Sequence, residues 1–172
     1  MKLLLTILVF CSMIVYDGIY RNNEWNLEID LSETNFSIVT DMETDTLLNS
    51  GFCKLTLPEM HCKVENIDFE PEIRIFDKYL LDDTINYKQI SQTLYDYLDK
   101  KSEILSSMMC PDDFGQLFGF VIQKENRFLY YYHMIKVDEK NILIECVETF
   151  GTKRQVDIEL KKLIKGMKTI KN

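Results

Sequence analysis

Glycine and proline are scarce in this chain, at six and three of its 172 residues. This scarcity excludes collagen-like repeats and low-complexity chains rich in either residue. Disorder is excluded as well, because 46% of the residues are hydrophobic and 12% are aromatic, which supplies enough apolar surface to offset the loss of chain entropy. The length fits a single domain, and no internal repeat or linker interrupts it.

The sequence also lacks the short motifs of several enzyme classes. It contains no Walker loop and no GxGxxG, HExxH or GxSxG sequence, so the usual signatures of nucleotide binding, zinc proteolysis and a serine nucleophile are missing. Asp41, Glu43 and Asp45 alternate as at the start of a calcium loop, but Leu47 and Phe52 interrupt the remaining pattern. We therefore predict neither a metal nor a cofactor.

Positive charge is scarce in most of the chain. The formal net charge is -8, yet the last 21 residues alone carry +5, which leaves -13 on residues 1–151. Between Asp17 and Asp83, sixteen acidic residues face five basic ones. This balance argues against binding to nucleic acid, whose phosphates attract Lys and Arg. It favours a basic protein partner, which such a surface would steer toward the complex.

The amino terminus has the pattern of an export leader. Lys2 precedes an uncharged, largely apolar run over residues 3–16, which as a helix would span roughly 21 Å, short of a membrane core of roughly 30 Å. We predict that residues 1–20 are a signal peptide, a lipid-anchor leader using Cys11 or a short membrane anchor, and that residues 21–172 form one domain. The alternative is a buried first element of a cytoplasmic protein. The favoured location is therefore periplasmic, envelope-tethered or extracellular.

Four cysteines would remain after removal of the leader: Cys53, Cys62, Cys110 and Cys146. In an oxidising compartment they could form disulfides, including one between Cys53 and Cys62 across a turn at Pro58. Buried free thiols are the alternative. The absence of a CxxC pair argues against a thioredoxin-like centre and a zinc ribbon.

The first half of the chain predicts antiparallel strands. Apolar residues occupy every second position from Trp25 to Leu31, with Glu28 and Asp30 between them, which is the period of a strand with one dry face. Asn, Asp, Gly and Pro residues separate further strand candidates at 36–40, 51–57, 61–64 and 72–76.

Helical spacing begins at Tyr87 and predicts a long helix over 87–108, capped by Asn86. Strands are expected at 116–123, 127–137 and 142–150, and a closing amphipathic helix at 154–170 is expected to pack its apolar side on the sheet. The predicted fold class is α+β, with a mainly antiparallel sheet, one long central helix and a C-terminal amphipathic helix.

A thiol enzyme is one functional hypothesis. If residues 138–141 form the hairpin loop, His133 lies directly opposite Cys146, within roughly 5 Å at the β-carbons, as a thiolate and imidazolium pair would require. His61 cannot easily pair with its neighbour Cys62, because adjacent strand residues point to opposite faces. Core packing of His133 is the stronger interpretation, since its strand face is largely apolar.

The order of elements resembles the Mog1/PsbP/DcrB-like alpha-beta sandwich over residues 25–170, with a leader, several strands, a long helix, a late hairpin at 119–150 and a closing helix. The resemblance is one of arrangement and assigns no functional residue. It implies a binding or assembly factor more often than an enzyme, and many bacterial members are secreted or lipid-anchored.

We therefore expect an exported or envelope-tethered protein-binding domain without enzymatic activity. The most specific version of this hypothesis is an acidic immunity-type inhibitor that occludes a basic toxin through paired charges and an aromatic anchor. The alternatives are the thiol enzyme using His133 and Cys146, and a structural envelope subunit. The predicted partner-binding residues are Asp41, Glu43, Asp45, Asp82, Asp83, Tyr130 and Tyr132.

Overall fold

Three antiparallel sheets and two helices make up the described part of the chain. The computed structural model describes residues 13–16, 18–45, 50–60, 62–64, 67–77, 86–113, 115–123, 128–138, 140–149 and 151–170. The sheet strands are β1 (Met13–Tyr16), β2 (Ile19–Asn22), β3 (Leu27–Asp30), β4 (Ser37–Asp45), β5 (Ser50–Thr56), β6 (Cys62–Val64), β7 (Ile67–Phe69), β8 (Glu72–Phe76), β9 (Glu103–Asp112), β10 (Gly115–Gln123), β11 (Phe128–Val137), β12 (Lys140–Glu148) and β13 (Met167–Thr169). The helices are α1 (Tyr87–Asp99) and α2 (Lys153–Lys165), and a short 3-10 helix covers Pro58–Met60.

A seven-stranded sheet forms the centre, in the order β4-β5-β8-β12-β11-β10-β9. A four-stranded sheet has the order β1-β2-β3-β13, and β6 and β7 form a separate hairpin. Every strand pair in these sheets is antiparallel. The predicted α+β class with mainly antiparallel sheet is therefore confirmed.

The seven-stranded sheet is covered on both faces. On one face, Ile73, Ile144 and other apolar residues pack with α2 and the four-stranded sheet. On the opposite face, Phe76 and Leu143 pack with Leu94 of α1. Since strand side chains alternate between faces, a strand near the middle of such a sheet is buried throughout, as residues 142–148 of β12 are.

The predicted long helix is wrong in its second half. α1 ends at Asp99, and residues 103–112 form β9, which pairs with β10 along most of its length. The spacing of Leu105 and Met108 fits a helix, but pairing with β10 supplies backbone hydrogen bonds and side-chain contacts that outweigh local preference. The start of α1 was predicted correctly, because the Asn86 side chain accepts a hydrogen bond from the Gln89 amide at 3.2 Å.

The closing helix is also shorter than predicted. α2 ends at Lys165, Gly166 caps it, and β13 follows and pairs with β3. A side chain at Gly166 would overlap the carbonyl oxygen of Asp30, so the chain turns where glycine permits close approach. α2 buries its apolar stripe and leaves Lys161 and Lys165 exposed.

Strand β1 lies within residues 1–20, the segment predicted to be a leader, and β2 begins in that segment and extends beyond it. They pair with each other from Met13 to Asn22, and Tyr20 is fully buried in the core. A cut before Asp17 would remove β1 and keep β2, so the leader and its cleavage point stay predictions. Within the described ranges, neither helix is long and apolar enough to cross a membrane.

The burial of Tyr20 gives a prediction about the folded unit. Tyr20→Ala should lower the free energy of unfolding by about 3–5 kcal/mol, because it opens a cavity in the core. Ile19→Ala, at the neighbouring and less buried position, should cost less than half as much. Urea denaturation of both variants measures the difference, and equal small effects would place Tyr20 outside the stable domain.

Candidate functional site

The structure separates the predicted partner-binding residues. Asp41, Glu43 and Asp45 lie on β4, an edge strand of the seven-stranded sheet, and their side chains are outside the described residues. Asp82 and Asp83 are also outside them. Tyr130 and Tyr132 lie on β11, four strand spacings from β4, which is about 19 Å at about 4.8 Å per spacing. The acidic strand and the tyrosines therefore do not form one continuous patch.

The prediction that Tyr132 is an aromatic anchor for a partner is wrong. Its side chain is fully buried, and its hydroxyl donates a hydrogen bond to the Glu145 carboxylate. Burial raises the pKa of Tyr132 well above its usual value, and Glu145 adds to this shift. Tyr130, on the same face, is half-buried, and burial raises its pKa to about 12. Tyr132 cannot contact a partner because it is part of the core.

The predicted pairing of His133 with Cys146 is wrong. Val137 pairs with Lys140, so the hairpin loop is two residues shorter than predicted, and Cys146 lies opposite Tyr131. His133 instead places Nδ1 2.8 Å from Oδ2 of Asp112. Burial raises the pKa of the Cys146 thiol well above its usual value, which opposes formation of a thiolate. These contacts contradict the thiol-enzyme hypothesis.

The structure tests the predicted disulfides for some of the cysteines. Cys110 and Cys146 carry free thiols. Cys53 is buried on β5, while the Cys62 side chain and His61 lie outside the described residues, so a Cys53–Cys62 bridge stays a prediction. Among the side chains that the structure describes, no group of three His, Cys, Asp or Glu residues is arranged to hold a metal.

A row of charged residues crosses the middle of the seven-stranded sheet on the face that packs with α1. Lys54, Arg74, Glu145 and Tyr132 are direct cross-strand neighbours on β5, β8, β12 and β11; we call these four residues the charge row. Glu145 accepts the Tyr132 hydroxyl and lies 3.2 Å from Arg74 Nη1. Glu72, beside the row, binds Arg74 Nη2 at 2.7 Å and Lys54 Nζ at 2.6 Å.

Burial and pairing oppose each other within the charge row. Burial raises the pKa of Glu145, while Arg74 and the Tyr132 hydroxyl lower it. For Arg74, burial disfavours the charged form, but Glu145 and Glu72 outweigh it and raise its pKa. The row is thus a compensated ion-pair network, in which each charge depends on its neighbour. Glu145, a charged residue inside the apolar run of residues 142–147, was the signal in the sequence that could have revealed this network.

The line of cross-strand neighbours that forms the charge row continues across the sheet to an exposed edge. Beyond Tyr132, the next cross-strand neighbours are Phe118 on β10 and Met109 on β9. β9 is the last strand of the sheet and exposes large apolar side chains. The exposed fractions are 41% for Leu105, 47% for Met108 and 45% for Met109.

Two irregularities limit this edge. Ser106 pairs with Val121 and Ile104 with Ile122, which leaves Leu105 as an unpaired bulge residue, and Pro111 lacks a backbone N–H. Bulges and prolines are devices by which edge strands resist indiscriminate pairing. We call the regular segment between them, residues 106–110, the docking edge.

The docking edge presents methionine on both of its faces. Met109 lies opposite Phe118, whose ring is 6.3 Å from that of Tyr87. Met108, on the other face, lies opposite Gly119. A β-carbon at position 119 would come within 2.9 Å of Met108 Cε and 3.1 Å of Tyr131 Cε1, so glycine provides the space in which these side chains meet.

Glu148 lies at the end of β12, on the face of the sheet that packs with α2. It is almost fully buried, and its Oε2 has no hydrogen-bond partner within the described part of the chain. Burial raises its pKa to about 8, Lys153 lowers it and Asp157 raises it. Lys153 lies 4.2 Å above the Tyr131 ring and 3.0 Å from Asp157. Burial of Glu148 therefore favours its protonated form.

A shallow groove of about 460 Å³ lies beside the four-stranded sheet and is lined by residues that include Arg21, Glu28, Asp138 and Lys168. Lys168 and Arg21 bind opposite oxygens of Glu28, and their hydrogen bonds lower its pKa. Asp138 accepts from the Thr169 amide at 3.0 Å. The two positive and two negative charges balance, so the groove selects neither an anion nor a cation.

Comparison with known proteins finds a likeness in structure. No protein-family model and no curated protein matches the chain. The chain is similar to a solved structure of cyanobacterial PsbP (CyanoP) from Synechocystis sp. PCC 6803, with a TM-score of 0.40 and 8% sequence identity over 94% of this chain and 98% of that chain. A weak resemblance to PsbP in the arrangement of elements, as predicted from their order, is thereby confirmed. At this TM-score, it assigns no function.

The charge row predicts a non-additive effect on stability. Arg74→Leu should lower the free energy of unfolding by about 3–5 kcal/mol, because it leaves Glu145 buried without its cation. Arg74→Leu combined with Glu145→Gln should recover at least half of that loss, since Gln keeps an acceptor for Tyr132. Chemical denaturation of the single and double variants tests this coupling; additive losses would show that the two side chains are independent.

Glu148 predicts a pH dependence with a definite sign. Its pKa is about 8 in the folded chain, against the ordinary value of 4.5 expected in the unfolded chain. Between these two pH values, the folded chain therefore holds a proton that the unfolded chain has released. The free energy of unfolding should therefore fall as pH rises through this window, by at most about 1.4 kcal/mol per pH unit from this group.

Glu148→Gln should remove this contribution, because glutamine does not titrate. Urea denaturation at pH 5, 6, 7 and 8 compares the two chains, and Glu59→Gln, at an exposed position, serves as the matched control. Parallel pH profiles for the wild-type and Glu148→Gln chains would contradict the assignment.

Proposed function

We propose that this chain is a protein-binding domain that receives an extended segment of a partner protein along the docking edge. The observation that carries this proposal is the exposure of Met108 and Met109 on opposite faces of an edge strand. An added strand gains backbone hydrogen bonds at such an edge, and side-chain contacts on either face supply specificity. Methionine suits this role because its flexible, polarizable side chain adapts to its neighbour.

The irregular ends of β9 support a short, bounded contact. The Leu105 bulge and Pro111 leave five regular positions between them, which favours one partner segment over open-ended strand pairing. The docking edge itself contains no charged residue. The matching stretch of the partner is therefore uncharged and apolar over about the same length.

The charge around the edge favours basic residues next to that stretch. Beyond the docking edge, the Asp113 side chain is 83% exposed and lies 3.5 Å from Lys161, whereas Asp112 is bound to His133. The excess of acid in residues 1–151 would steer a basic partner toward the domain. Asp41, Glu43, Asp45, Asp82 and Asp83 stay proposed contacts for such a partner, as does the half-buried Tyr130.

The more specific parts of the proposal are that the chain is exported and that it inhibits a toxin. The apolar run after Lys2 supports an exported or envelope-tethered protein. The acidic balance supports an immunity-type inhibitor that covers basic residues of a toxin. In this form, the docking edge supplies the dry contact that the predicted aromatic anchor was expected to give. No enzymatic step is part of the proposal.

Peptide selection tests the docking edge. A displayed library of extended twelve-residue peptides is panned against the chain, and calorimetry measures the affinity of the selected peptides. Met109→Lys should weaken their binding about tenfold or more, since it places a charge in the apolar contact. Val39→Lys is the matched control, because Val39 is 56% exposed on the opposite edge strand.

The selected peptides should combine an apolar centre with basic residues on one side, and their binding should weaken as salt increases. Peptides that bind Met109→Lys and the wild-type chain equally would exclude the docking edge. If no peptide binds, a structural envelope subunit becomes the better interpretation.

A further inference from the structure

The two methionines of the docking edge also expose much of their thioether side chains to solvent. We infer that Met108 and Met109 are a peroxide-sensitive modification site, and that their oxidation weakens docking of the partner segment. The inference rests on the proposed function, since the partner is the extended segment described above. It adds a regulatory chemistry that the sequence patterns did not indicate.

The reaction is the transfer of one oxygen atom from hydrogen peroxide to a thioether sulfur. The O–O bond breaks, an S–O bond forms, and the sulfur loses two electrons. The second peroxide oxygen leaves as water after a proton shift. The product is methionine sulfoxide, which reductases convert back to methionine. The step needs peroxide and an accessible sulfur, and it needs no group from the protein.

Exposure singles out this pair among the methionines whose side chains are described. Met108 and Met109 are 47% and 45% exposed, whereas Met134 and Met167 are 3% and 7% exposed. Met60 is partly buried against the core. Since peroxide must reach the sulfur from solvent, the docking edge should react first, and the buried methionines provide an internal comparison.

Oxidation would change both faces of the contact. Met108 lies beside Gly119 and Tyr131, while Met109 lies opposite Phe118. A partner strand beside β9 would cover these side chains. A sulfoxide oxygen covered in this way loses the water molecules that hydrogen-bond to it. This desolvation costs free energy unless the partner supplies a hydrogen-bond donor. An uncharged, apolar partner segment offers no such donor from its side chains.

The first experiment locates the oxidation. The full chain with Cys110→Ser, which removes the thiol at the docking edge, is treated with limiting hydrogen peroxide, and mass spectrometry of its proteolytic fragments follows each methionine. Met108 and Met109 should be oxidised at least about ten times faster than Met134 and Met167, in line with their accessibility. Equal rates at all four positions would overturn the inference.

The second experiment links oxidation to docking. A peptide selected on the unoxidised chain should bind the oxidised chain about ten times more weakly, and methionine sulfoxide reductase should restore the affinity. The Met108→Leu/Met109→Leu chain keeps an apolar edge without an oxidisable sulfur. Compared with its own untreated affinity, this chain should show no change after peroxide, whereas Met108→Gln/Met109→Gln should bind more weakly than Met108→Leu/Met109→Leu without treatment.

The outcomes separate this inference from the proposed function. Unchanged affinity after complete oxidation of both methionines would overturn the inference and leave docking intact. Loss of affinity in the oxidised Met108→Leu/Met109→Leu chain would place the sensitive group elsewhere and overturn it too. Failure of every peptide to bind the unoxidised chain would overturn the proposed function and the inference together.

Discussion

The register of the β11–β12 hairpin is the constraint on which the rest of the structure depends. Val137 pairs with Lys140, and the turn between them uses Asp138 at a φ of 51°, as a tight hairpin turn requires. The Asp138 carboxylate also accepts hydrogen bonds from the backbone amide and hydroxyl of Thr169, which joins the turn to the four-stranded sheet. A slip of one residue would exchange the two faces of β12 and place Glu145 among the apolar residues that pack with α2.

That register explains why a buried charge lies at the centre of the sheet and apolar side chains lie at its edge. Glu145 is compensated only where β8 brings Arg74 and β11 brings Tyr132 to the same row. Because slippage of either strand would leave a charge buried without its partner, the ion pairs oppose alternative registers. The same row continues through Phe118 to Met109, so the arrangement that protects the charges also sets which methionine faces the α1 side at β9.

Local patterns in the sequence predicted elements whose stability depends on near neighbours. The strand at Glu72–Phe76 and the Asn86 cap agree with the structure, because alternation and capping are encoded within a few residues. The prediction failed where distant pairing decides. Leu105 and Met108 have helical spacing, yet β10 pairs with this segment. The hairpin loop predicted at residues 138–141 includes Lys140 and Asn141, yet both belong to β12, and Lys140 donates to the Trp25 carbonyl at 3.3 Å.

The sequence by itself determined the α+β class, the acidic balance of residues 1–151, the basic balance of the closing segment and the apolar amino-terminal run. These properties follow from composition and short-range periodicity, which do not depend on where distant strands meet. Tertiary structure alone decided that β9 is an edge, that Tyr132 is buried, that His133 binds Asp112 and not Cys146, and that Glu145 has a cation beside it. The physical reason is that sheet order and register are set by contacts between residues far apart in the chain, which local preferences do not specify.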